Sequence, residues 1–180
     1  MLPLPEPVRG GSLSELRQFV NIEAEEWPLC AGYLAGMARP TGPYPVLGIL
    51  GEQGSAKTTF SLVLRNLIDP NTAGLRSTPR DVRDLVIAGK NGWVIAYDNL
   101  SGMPDWLSDA LARVSTGAGF GTRMLHTDSD EALFYVRRPI ILNGIGEVAS
   151  RADLLDRMVL LHLQPIPDER RREEAAFWRE

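Results

Sequence analysis

Nine consecutive residues, 51–59, have the types and order that bind a polyphosphate. Their sequence, GEQGSAKTT, matches three of the four fixed positions of the pattern G-x-x-x-x-G-K-[ST]. Small residues let successive backbone amides curl around phosphate oxygens, and the helix that follows adds the positive end of its dipole. The segment therefore predicts a phosphate-binding loop made of Gly51, Glu52, Gln53, Gly54, Ser55, Ala56, Lys57, Thr58 and Thr59.

Three residues of this loop carry specific expectations. Lys57 is expected to reach the β- and γ-phosphates of ATP, and Thr58 to place its hydroxyl on Mg²⁺. Ala56 occupies the second glycine position of the pattern. If the backbone there needs a positive φ, its Cβ costs about 1 kcal/mol or more. An ordinary glycine turn is the alternative, but an apolar strand before the loop and a helix after it favour ATP with Mg²⁺.

A second acidic group is expected beside the loop. Asp98 follows the apolar residues 94–97, and an acid at the tip of such a strand would be a second magnesium ligand. The alternative is an aspartate that caps the following turn. Asn99 stands where many ATPases carry a glutamate that polarises the attacking water, and an amide orients water without accepting its proton. Glu52 is a candidate replacement for that base, or else an exposed loop charge.

Polar residues further along the chain are candidates for contacts with the γ-phosphate. Asn143 follows the apolar run 139–142, and it would either reach the γ-phosphate or the attacking water, or form a turn before Gly144. Arg151 and Arg157 lie in the segment SRADLLDR. Either could neutralise transition-state charge in the site of a neighbouring subunit, or be a solvated surface arginine.

The hydrophobic pattern predicts the elements that would hold these residues. Continuous apolar runs predict buried strands over 46–50, 93–97, 139–142 and 158–163. Helices are expected over 60–68, from a cap at Thr78 with Asp81 three residues later, from Pro104, and around 153–157. Strands that alternate with helices predict an α/β fold with a parallel sheet and helices on both faces.

The two ends of the chain have patterns of their own. Ser12 and Glu15 predict a capping box, and a second helix is predicted by residues at helical spacing, namely Leu29, Cys30, Tyr33, Leu34 and Met37. The final run DERRREEAAFWRE predicts a charged helix. The chain is thus interpreted as an N-terminal arm with helices (1–40), a core (41–165) and the truncated start of a C-terminal helical segment (166–180).

Composition limits the class of protein. The 180 residues are 44% hydrophobic and 23% charged, as in a globular domain. The single cysteine, Cys30, excludes an internal disulfide and points to a cytoplasmic setting. The first residues, MLPLPEPVRGG, predict neither a signal peptide nor a membrane anchor. A net charge of -4 leaves nucleic-acid binding undecided.

Taken in order, residues 51–59, Asp98, Asn143 and Arg157 resemble the nucleotide-site motifs of AAA+ ATPases. Within that superfamily the chain is similar to helicase-like ATPases of phages and mobile elements, including superfamily 3 helicases and primase-associated ATPases. The resemblance implies a P-loop NTPase three-layer sandwich with a five-stranded, mainly parallel sheet. It also implies that Asn143 is a sensor asparagine and that Arg157 is an arginine finger.

The same resemblance implies a nucleic-acid partner and an assembly. In that group a hairpin carries a basic residue into a central pore, and GAGFGTRML occupies its place here, with Arg123 as the implied DNA contact. A surface hairpin whose arginine contacts nothing is the alternative. The implied function is ATP binding and hydrolysis coupled to DNA in phage or mobile-element replication, within a homo-oligomeric ring such as a hexamer. A non-hydrolysing nucleotide switch or scaffold and a small-molecule P-loop kinase are the alternatives.

Overall fold

Strands and helices alternate along most of the chain. The computed structural model describes residues 2–6, 8–123, 131–146, 149 and 151–179, with the backbone alone for 122, 123, 131 and 132. Its strands are β1 (Val46–Gly51), β2 (Ile95–Leu100), β3 (Ala118–Arg123), β4 (Glu131–Val136), β5 (Ile140–Gly144) and β6 (Met158–Leu163). Its α-helices are α1 (Trp27–Met37), α2 (Lys57–Ile68), α3 (Val82–Asn91), α4 (Asp105–Thr116), α5 (Ala152–Leu155) and α6 (Glu174–Phe177). Leu13–Phe19 and Asp168–Arg170 are 3-10 helices.

Four strands form one parallel sheet in the order β2-β5-β1-β6, and β3 and β4 form a separate antiparallel pair. β1 pairs with β5 on one side and with β6 on the other. Parallel pairing brings the carboxyl ends of these strands to one edge, where the register places Asn143 opposite Ile49 and Leu163 opposite Gly51. The predicted α/β class with a mainly parallel sheet is confirmed.

The implied number of five strands is wrong, because the sheet has four strands among the residues that the structure describes. Beyond β2, where a fifth strand would pair, the chain makes one parallel bridge between Arg76 and Tyr97. Arg76 N donates to Ala96 O at 3.0 Å, and Arg76 O accepts from Asp98 N at 2.9 Å. The helix α3 starts at Val82, six residues after Arg76, and the pairing stays at a single bridge.

Helices cover both faces of the sheet. Side chains alternate between the two faces along each strand, so the strands contribute to a hydrophobic cluster on each face. One hydrophobic cluster joins sheet residues to α3 and α4, and includes Val46, Ile140, Leu85, Leu107 and Leu111. The other joins sheet residues to α1 and α2, and includes Leu47, Ile141, Tyr33, Phe60 and Leu64. Burial on both faces explains why the strands have continuous apolar sequences.

The predicted capping box and the predicted second helix are confirmed, and one residue of that helix differs from its expectation. Ser12 and Glu15 form the capping box, here at the start of a 3-10 helix. Cys30 is fully buried on α1, and burial raises the pKa of its thiol to about 12, so it packs as a small apolar residue. Leu29 is the exception, because it is 51% exposed and lies outside the buried face.

Helix α3 begins later than the predicted cap at Thr78. The N-cap is Asp81, whose carboxylate accepts a hydrogen bond from Asp84 N at 2.9 Å. Aspartate is a better N-cap than threonine, and Asp81 directly precedes the amphipathic residues of the helix. The helix therefore starts at Val82.

The predicted continuous helix after residue 167 is wrong. The 3-10 helix and α6 are separated by residues 171–173, and Arg171 has an extended backbone with φ of -71° and ψ of 135°. Ile166 N donates to Gly54 O at 3.1 Å, and the ring of Phe177 packs edge-on against Phe19 at 5.8 Å. These contacts with other parts of the protein override local helix propensity.

Candidate functional site

The glycine-rich loop connects the carboxyl end of β1 to the first residue of α2. Gly51 is in close contact with β6, because a Cβ on it would lie 2.6 Å from the carbonyl oxygen of Leu163. Gly54 has a φ of 81°, in the region that favours glycine. These two residues let the loop pass close to β6 and turn back toward α2.

Ala56, the N-cap residue of α2, has a left-handed backbone with φ of 64° and ψ of 30°. An L-residue adopts this conformation at a cost of about 1–2 kcal/mol. The positive φ that the second glycine of the motif would supply is therefore present with alanine in its place. Strained residues of this kind persist where the surrounding structure fixes them, as it does at ligand sites.

The ammonium group of Lys57 lies against the loop. Its Nζ donates to Gly51 O at 2.7 Å and to Glu52 O at 2.8 Å. Burial lowers the pKa of Lys57, and the negative charge of Asp98 opposes that shift. Lys57 is therefore coupled electrostatically to the acidic residue on β2.

Thr58 and Asp98 are in direct contact. Thr58 Oγ1 donates to Asp98 Oδ1 at 2.9 Å. A hydroxyl beside a carboxylate suits Mg²⁺, which takes one or two such ligands and completes its octahedral shell with phosphate and water oxygens. Across the residues that the structure describes, no group of three or more His, Cys, Asp or Glu side chains could hold a metal ion. The two oxygen donors thus fit a magnesium ion that arrives with a phosphate ligand.

Asp98 and Asn99 lie where β2 is irregular. The register with β5 shifts between Tyr97 and Leu100, and Asn99 has a φ of 55°. Such a bulge changes the direction of the side chains on it. The strand was expected to end at Tyr97, but β2 runs to Leu100, so Asp98 lies within the strand.

The side chain of Asn143 is 1% exposed and connects three elements. Its Oδ1 accepts from Asn99 N at 2.8 Å, and its Nδ2 donates to Ser61 Oγ at 2.9 Å. Ser61 Oγ donates in turn to Lys57 O at 2.9 Å. A chain of hydrogen bonds therefore runs from the bulge of β2 through β5 to the first turn of α2. Asn143 lies inside β5, which excludes the interpretation as a turn asparagine.

The remaining loop residues differ in exposure. Ser55 is buried, and its Oγ donates to Glu52 O at 2.8 Å, which stabilises the turn. The side chains of Glu52 and Gln53 are exposed. Thr59 is partly buried and lines a cavity beside the loop. Ser55 thus shapes the loop from within, whereas Glu52 and Gln53 are accessible from outside.

A cavity of about 840 Å³ lies between the loop, the N-terminal segment and the segment that follows β6. Its volume is in the range of about 300–1,000 Å³ that is typical of small-molecule sites. Apolar and basic side chains line it next to the loop, including Val20, Ile166, Phe177, Arg17, Arg170 and Arg171. The cavity is therefore suited to an anionic ligand with an apolar part.

Two residues near this cavity were missed from the sequence. Asn21 Nδ2 donates to Ser55 O at 3.1 Å and to Gln164 O at 2.7 Å, which joins the N-terminal segment to the loop and to the end of β6. Arg171 Nη2 lies 2.7 Å from the position that a Cβ on Gly54 would take. The sequence contained a signal for Arg171, because this residue follows the last predicted strand. Residues that follow neighbouring parallel strands meet at one edge of a sheet.

Arg157 lies at the opposite end of the sheet. Its carbonyl oxygen accepts from Val46 N, at the start of β1, at 2.9 Å. β1 has six residues, and a rise of about 3.3 Å per residue places Val46 roughly 16 Å from Gly51. The guanidinium of Arg157 forms an ion pair with Asp153. The structure therefore does not bring Arg157 to the loop of its own chain.

The other two arginines have different surroundings. Arg151 follows β5 and forms ion pairs with Asp105 at 3.3 Å and Asp109 at 2.8 Å, at the start of α4. Arg123 is the last residue of β3 and pairs in register with Glu131. The expected hairpin is confirmed, and residues 124–130, which join its strands, lie outside the described part of the chain. The role of Arg123 stays a prediction.

Solved structures with a similar fold include helicase chains. JCV Helicase bound to an acetamide compound matches with a TM-score of 0.55 and 14% identity, over 80% of this chain and 42% of that one. An inhibitor-bound JCV Helicase has a TM-score of 0.49 and 14% identity, over 88% and 47%. NtrX from Brucella abortus in complex with ADP has a TM-score of 0.44 and 13% identity, over 84% and 40%. The chain spans less than half of each protein, and the first match shows a shared fold.

The fold and sheet order define this chain as an α/β protein with a mainly parallel sheet, and it shares its fold with the JCV Helicase chain. The family model for the replication protein of actinomycete integrative conjugative elements matches residues 11–180. The chain belongs to this family of replication proteins. No protein of curated function matches the sequence. Within the described ranges, no helix is long and apolar enough to cross a membrane.

Proposed function

We propose that the chain is an ATP-binding and ATP-hydrolysing domain of the AAA+ type that acts on DNA during replication of its conjugative element. The contact between Thr58 Oγ1 and Asp98 Oδ1, at 2.9 Å, carries this proposal. With Lys57 it places a hydroxyl, a carboxylate and an ammonium group beside one loop, which is the combination that P-loop phosphoryl transfer uses. Family membership supports the replication context.

In this proposal the triphosphate lies along residues 51–59. Loop amides and the N-terminus of α2 donate to its oxygens. Phosphate oxygens take the place of the Gly51 and Glu52 carbonyls as partners of Lys57 Nζ, and their charge favours the protonated lysine against the effect of burial. The base and ribose occupy the cavity of about 840 Å³, with Arg171 beside the phosphates.

Thr58 and Asp98 would hold Mg²⁺, which neutralises charge on the transferred phosphoryl group. Asn143 positions rather than touches the nucleotide, because it is 1% exposed and its Oδ1 and Nδ2 bond Asn99 N and Ser61 Oγ. It thereby fixes the bulge that carries Asp98 and Asn99. Asn99 orients the attacking water but accepts no proton, so hydrolysis is expected to be slow.

The proposed assembly is a homo-oligomeric ring. Arg157 lies far from the loop of its own chain, because its carbonyl oxygen accepts from Val46 N at the opposite end of β1. Arg157 is therefore available to a site on a neighbouring subunit. An arginine supplied in this way stabilises the charge of the transition state. The ion pair with Asp153 holds the guanidinium at the surface until such a site is formed.

A non-hydrolysing nucleotide switch is the second candidate, and Asn99 favours it. The amide directly after Asp98 leaves the usual position of the catalytic base without a carboxylate. ATP would then be bound and kept intact, and the domain would act through its nucleotide-dependent contacts.

Phosphate release from ATP, measured with and without single-stranded DNA, tests the proposal. Wild type is expected to release phosphate slowly and faster with DNA, and Lys57→Ala to lose that release. Asn99→Glu supplies a general base and is expected to raise the rate by about 100-fold or more. Lys90→Ala is the matched control, because Lys90 is the only other lysine in the sequence.

Two results discriminate between the candidates. Equal phosphate release by wild type and Lys57→Ala contradicts ATP hydrolysis at this loop. ATP binding without release in wild type, together with release in Asn99→Glu, identifies the switch.

A further inference from the structure

The end of α2 contains a buried ion pair. Arg65, in the last turn of the helix, and Asp69, its C-cap, are both fully buried, and Arg65 Nη2 lies 3.6 Å from Asp69 Oδ2. Burial lowers the pKa of Arg65, and the negative charge of Asp69 opposes that shift. Arg65 Nε and Asp69 Oδ1 are buried without a hydrogen-bond partner in the described part of the chain. The pair is therefore costly to bury, since both charges leave water and each group keeps one unsatisfied atom.

Arg65 fixes the backbone of the segment that leads to the bridge with β2. Its Nη1 donates to Ala73 O at 2.6 Å and to Gly74 O. Arg76 follows two residues after Gly74, and its carbonyl oxygen accepts from Asp98 N at 2.9 Å. The guanidinium therefore holds the chain just before the residue that bonds the backbone of Asp98.

Asp69 fixes the start of the same strand. Its Oδ2 accepts from Trp93 N at 2.7 Å and from Val94 N at 2.9 Å, directly before β2 begins. Apolar residues of similar volume often replace a buried ion pair without loss of stability, but they could not make these backbone contacts. The ion pair thus joins the end of α2 to the start of β2 as well as to the segment beside that strand.

The backbone of Asp98 depends on this support because the sheet is irregular there. β2 and β5 are in register at Tyr97 and again at Leu100, and the register shifts between these residues. The amide of Asp98 donates to Arg76 O instead, on the side of β2 away from β5. The position of Asp98 is therefore set by residues 73–76, which Arg65 holds.

The two ends of α2 thus act on the two oxygen donors of the proposed magnesium site. Thr58 lies in the first turn of the helix, and Arg65 lies in the last turn. We propose that Arg65, with Asp69 as its ion-pair partner, is a positioning residue that holds Asp98 against Thr58 so that both bind Mg²⁺. Groups that orient a metal ligand change the affinity for the metal without touching it. This inference rests on the proposed function, because it names the residues that set the geometry of its magnesium site.

A magnesium titration of the nucleotide complex tests this role. The variant is Arg65→Met with Asp69→Asn, which removes both charges, keeps the side chains similar in size and leaves an amide oxygen for Trp93 N. With a fixed concentration of a fluorescent, non-hydrolysable ATP analogue, the apparent affinity for Mg²⁺ is expected to fall about tenfold or more. Affinity for the analogue without Mg²⁺ is expected to stay as in wild type, because Lys57 and the loop are unchanged.

An exposed ion pair provides the matched control. Arg80→Met with Asp84→Asn removes a pair with the same i,i+4 spacing, in which the Arg80 side chain is 95% exposed. This control is expected to bind Mg²⁺ and the analogue as wild type does.

Arg65→Lys is the conservative variant. It keeps a positive charge beside Asp69, so it avoids the uncompensated buried charge that would unfold the protein. Lysine lacks the planar arrangement of donors with which arginine holds several acceptors. The affinity of Arg65→Lys for Mg²⁺ is therefore expected to lie between that of wild type and that of the double variant.

Amide hydrogen exchange, followed by NMR, measures the positioning of Asp98 without nucleotide. The amide of Asp98 is expected to lose protection in the double variant, because residues 73–76 no longer hold Arg76 O in place. Amides in the centre of β1 are expected to keep their wild-type protection.

The inference is overturned if the double variant, or Arg65→Lys where the double variant does not fold, has wild-type affinity for Mg²⁺. It is also overturned if binding of the analogue weakens equally with and without Mg²⁺, which would assign the pair a general role in stability. Unchanged protection of the Asp98 amide contradicts this inference alone. A wild-type chain that binds no analogue, together with lost protection of Asp98 in the variant, contradicts the proposed function alone.

Discussion

Ala56 departs from the loop pattern in residue type, but its backbone has the conformation that the pattern requires. Its φ of 64° is the conformation that glycine would adopt there without strain. The chain stabilises it through neighbours, since Phe60 N donates to Ala56 O at 2.9 Å and Ser55 Oγ closes the turn before it. The missing glycine therefore changes the energy of the loop and not its shape.

Replacing Ala56 by glycine should stabilise the protein. Relief of the left-handed strain of about 1–2 kcal/mol outweighs the entropy that glycine adds to the unfolded chain, so a net gain of roughly 0.5–1 kcal/mol is expected. Urea unfolding measures it. Ala35→Gly is the control, because Ala35 is an exposed residue of the right-handed helix α1 and should lose about 1 kcal/mol. Equal destabilisation by both substitutions would contradict the strain at Ala56.

Residue types and spacing predicted a loop between β1 and α2 and an aspartate beside it, and the structure brings Asp98 into contact with Thr58. They did not predict Asn21 or Arg171. Asn21 acts through two carbonyl oxygens, Ser55 O and Gln164 O, that belong to other segments of the chain. No local pattern marks such a contact, since it depends on how the segments come together.

At the scale of elements, Asn143 joins β5 to β2 and to α2. Each of its side-chain hydrogen bonds has a buried or partly buried partner, and the asparagine is 1% exposed. A buried donor or acceptor that loses its partner costs about 1–3 kcal/mol. The hydrogen-bond chain therefore stabilises the relative position of the bulge and the first turn of α2.

Asn143→Ala should lower the free energy of unfolding by about 2–3 kcal/mol, since it leaves Asn99 N and Ser61 Oγ without this partner. Chemical denaturation followed by circular dichroism provides the measurement. Asn71→Ala is matched to it, because Asn71 also makes two side-chain hydrogen bonds but at exposed positions, and it should cost less than about 1 kcal/mol. Similar losses in the two variants would refute the coupling role of Asn143.

The four strands of the sheet were predictable because short apolar runs rich in Val, Ile and Leu, bounded by turn residues, are typical of strands buried on both faces. The resemblance implied a fifth strand, but in the described part of the chain that position has a single bridge between Arg76 and Tyr97. The prediction of one continuous C-terminal helix was wrong because Arg171 and Phe177 pack against Gly54 and Phe19, which belong to distant parts of the chain. Tertiary contacts of this kind leave no periodic signal.

At the scale of the whole molecule, the parallel sheet gathers distant segments at one edge. The loop after β1, the bulge of β2, the end of β5 and the segment after β6 all belong to carboxyl ends of paired strands. Ligands bind at this edge in α/β proteins. The N-terminal segment adds Asn21 to the same place, so segments before β1 and after β6 both contact the loop region.

Isothermal titration of a non-hydrolysable ATP analogue tests this central claim most directly. The chain is expected to bind one nucleotide with Mg²⁺, and Lys57→Ala to weaken binding at least about tenfold, or about 1.4 kcal/mol, while Lys90→Ala binds as wild type does. Omission of Mg²⁺ should weaken binding to wild type as well, because Thr58 and Asp98 then lack the ion between them and the phosphates. A wild-type chain that takes up no nucleotide, or a Lys57→Ala variant with wild-type affinity, would contradict the account.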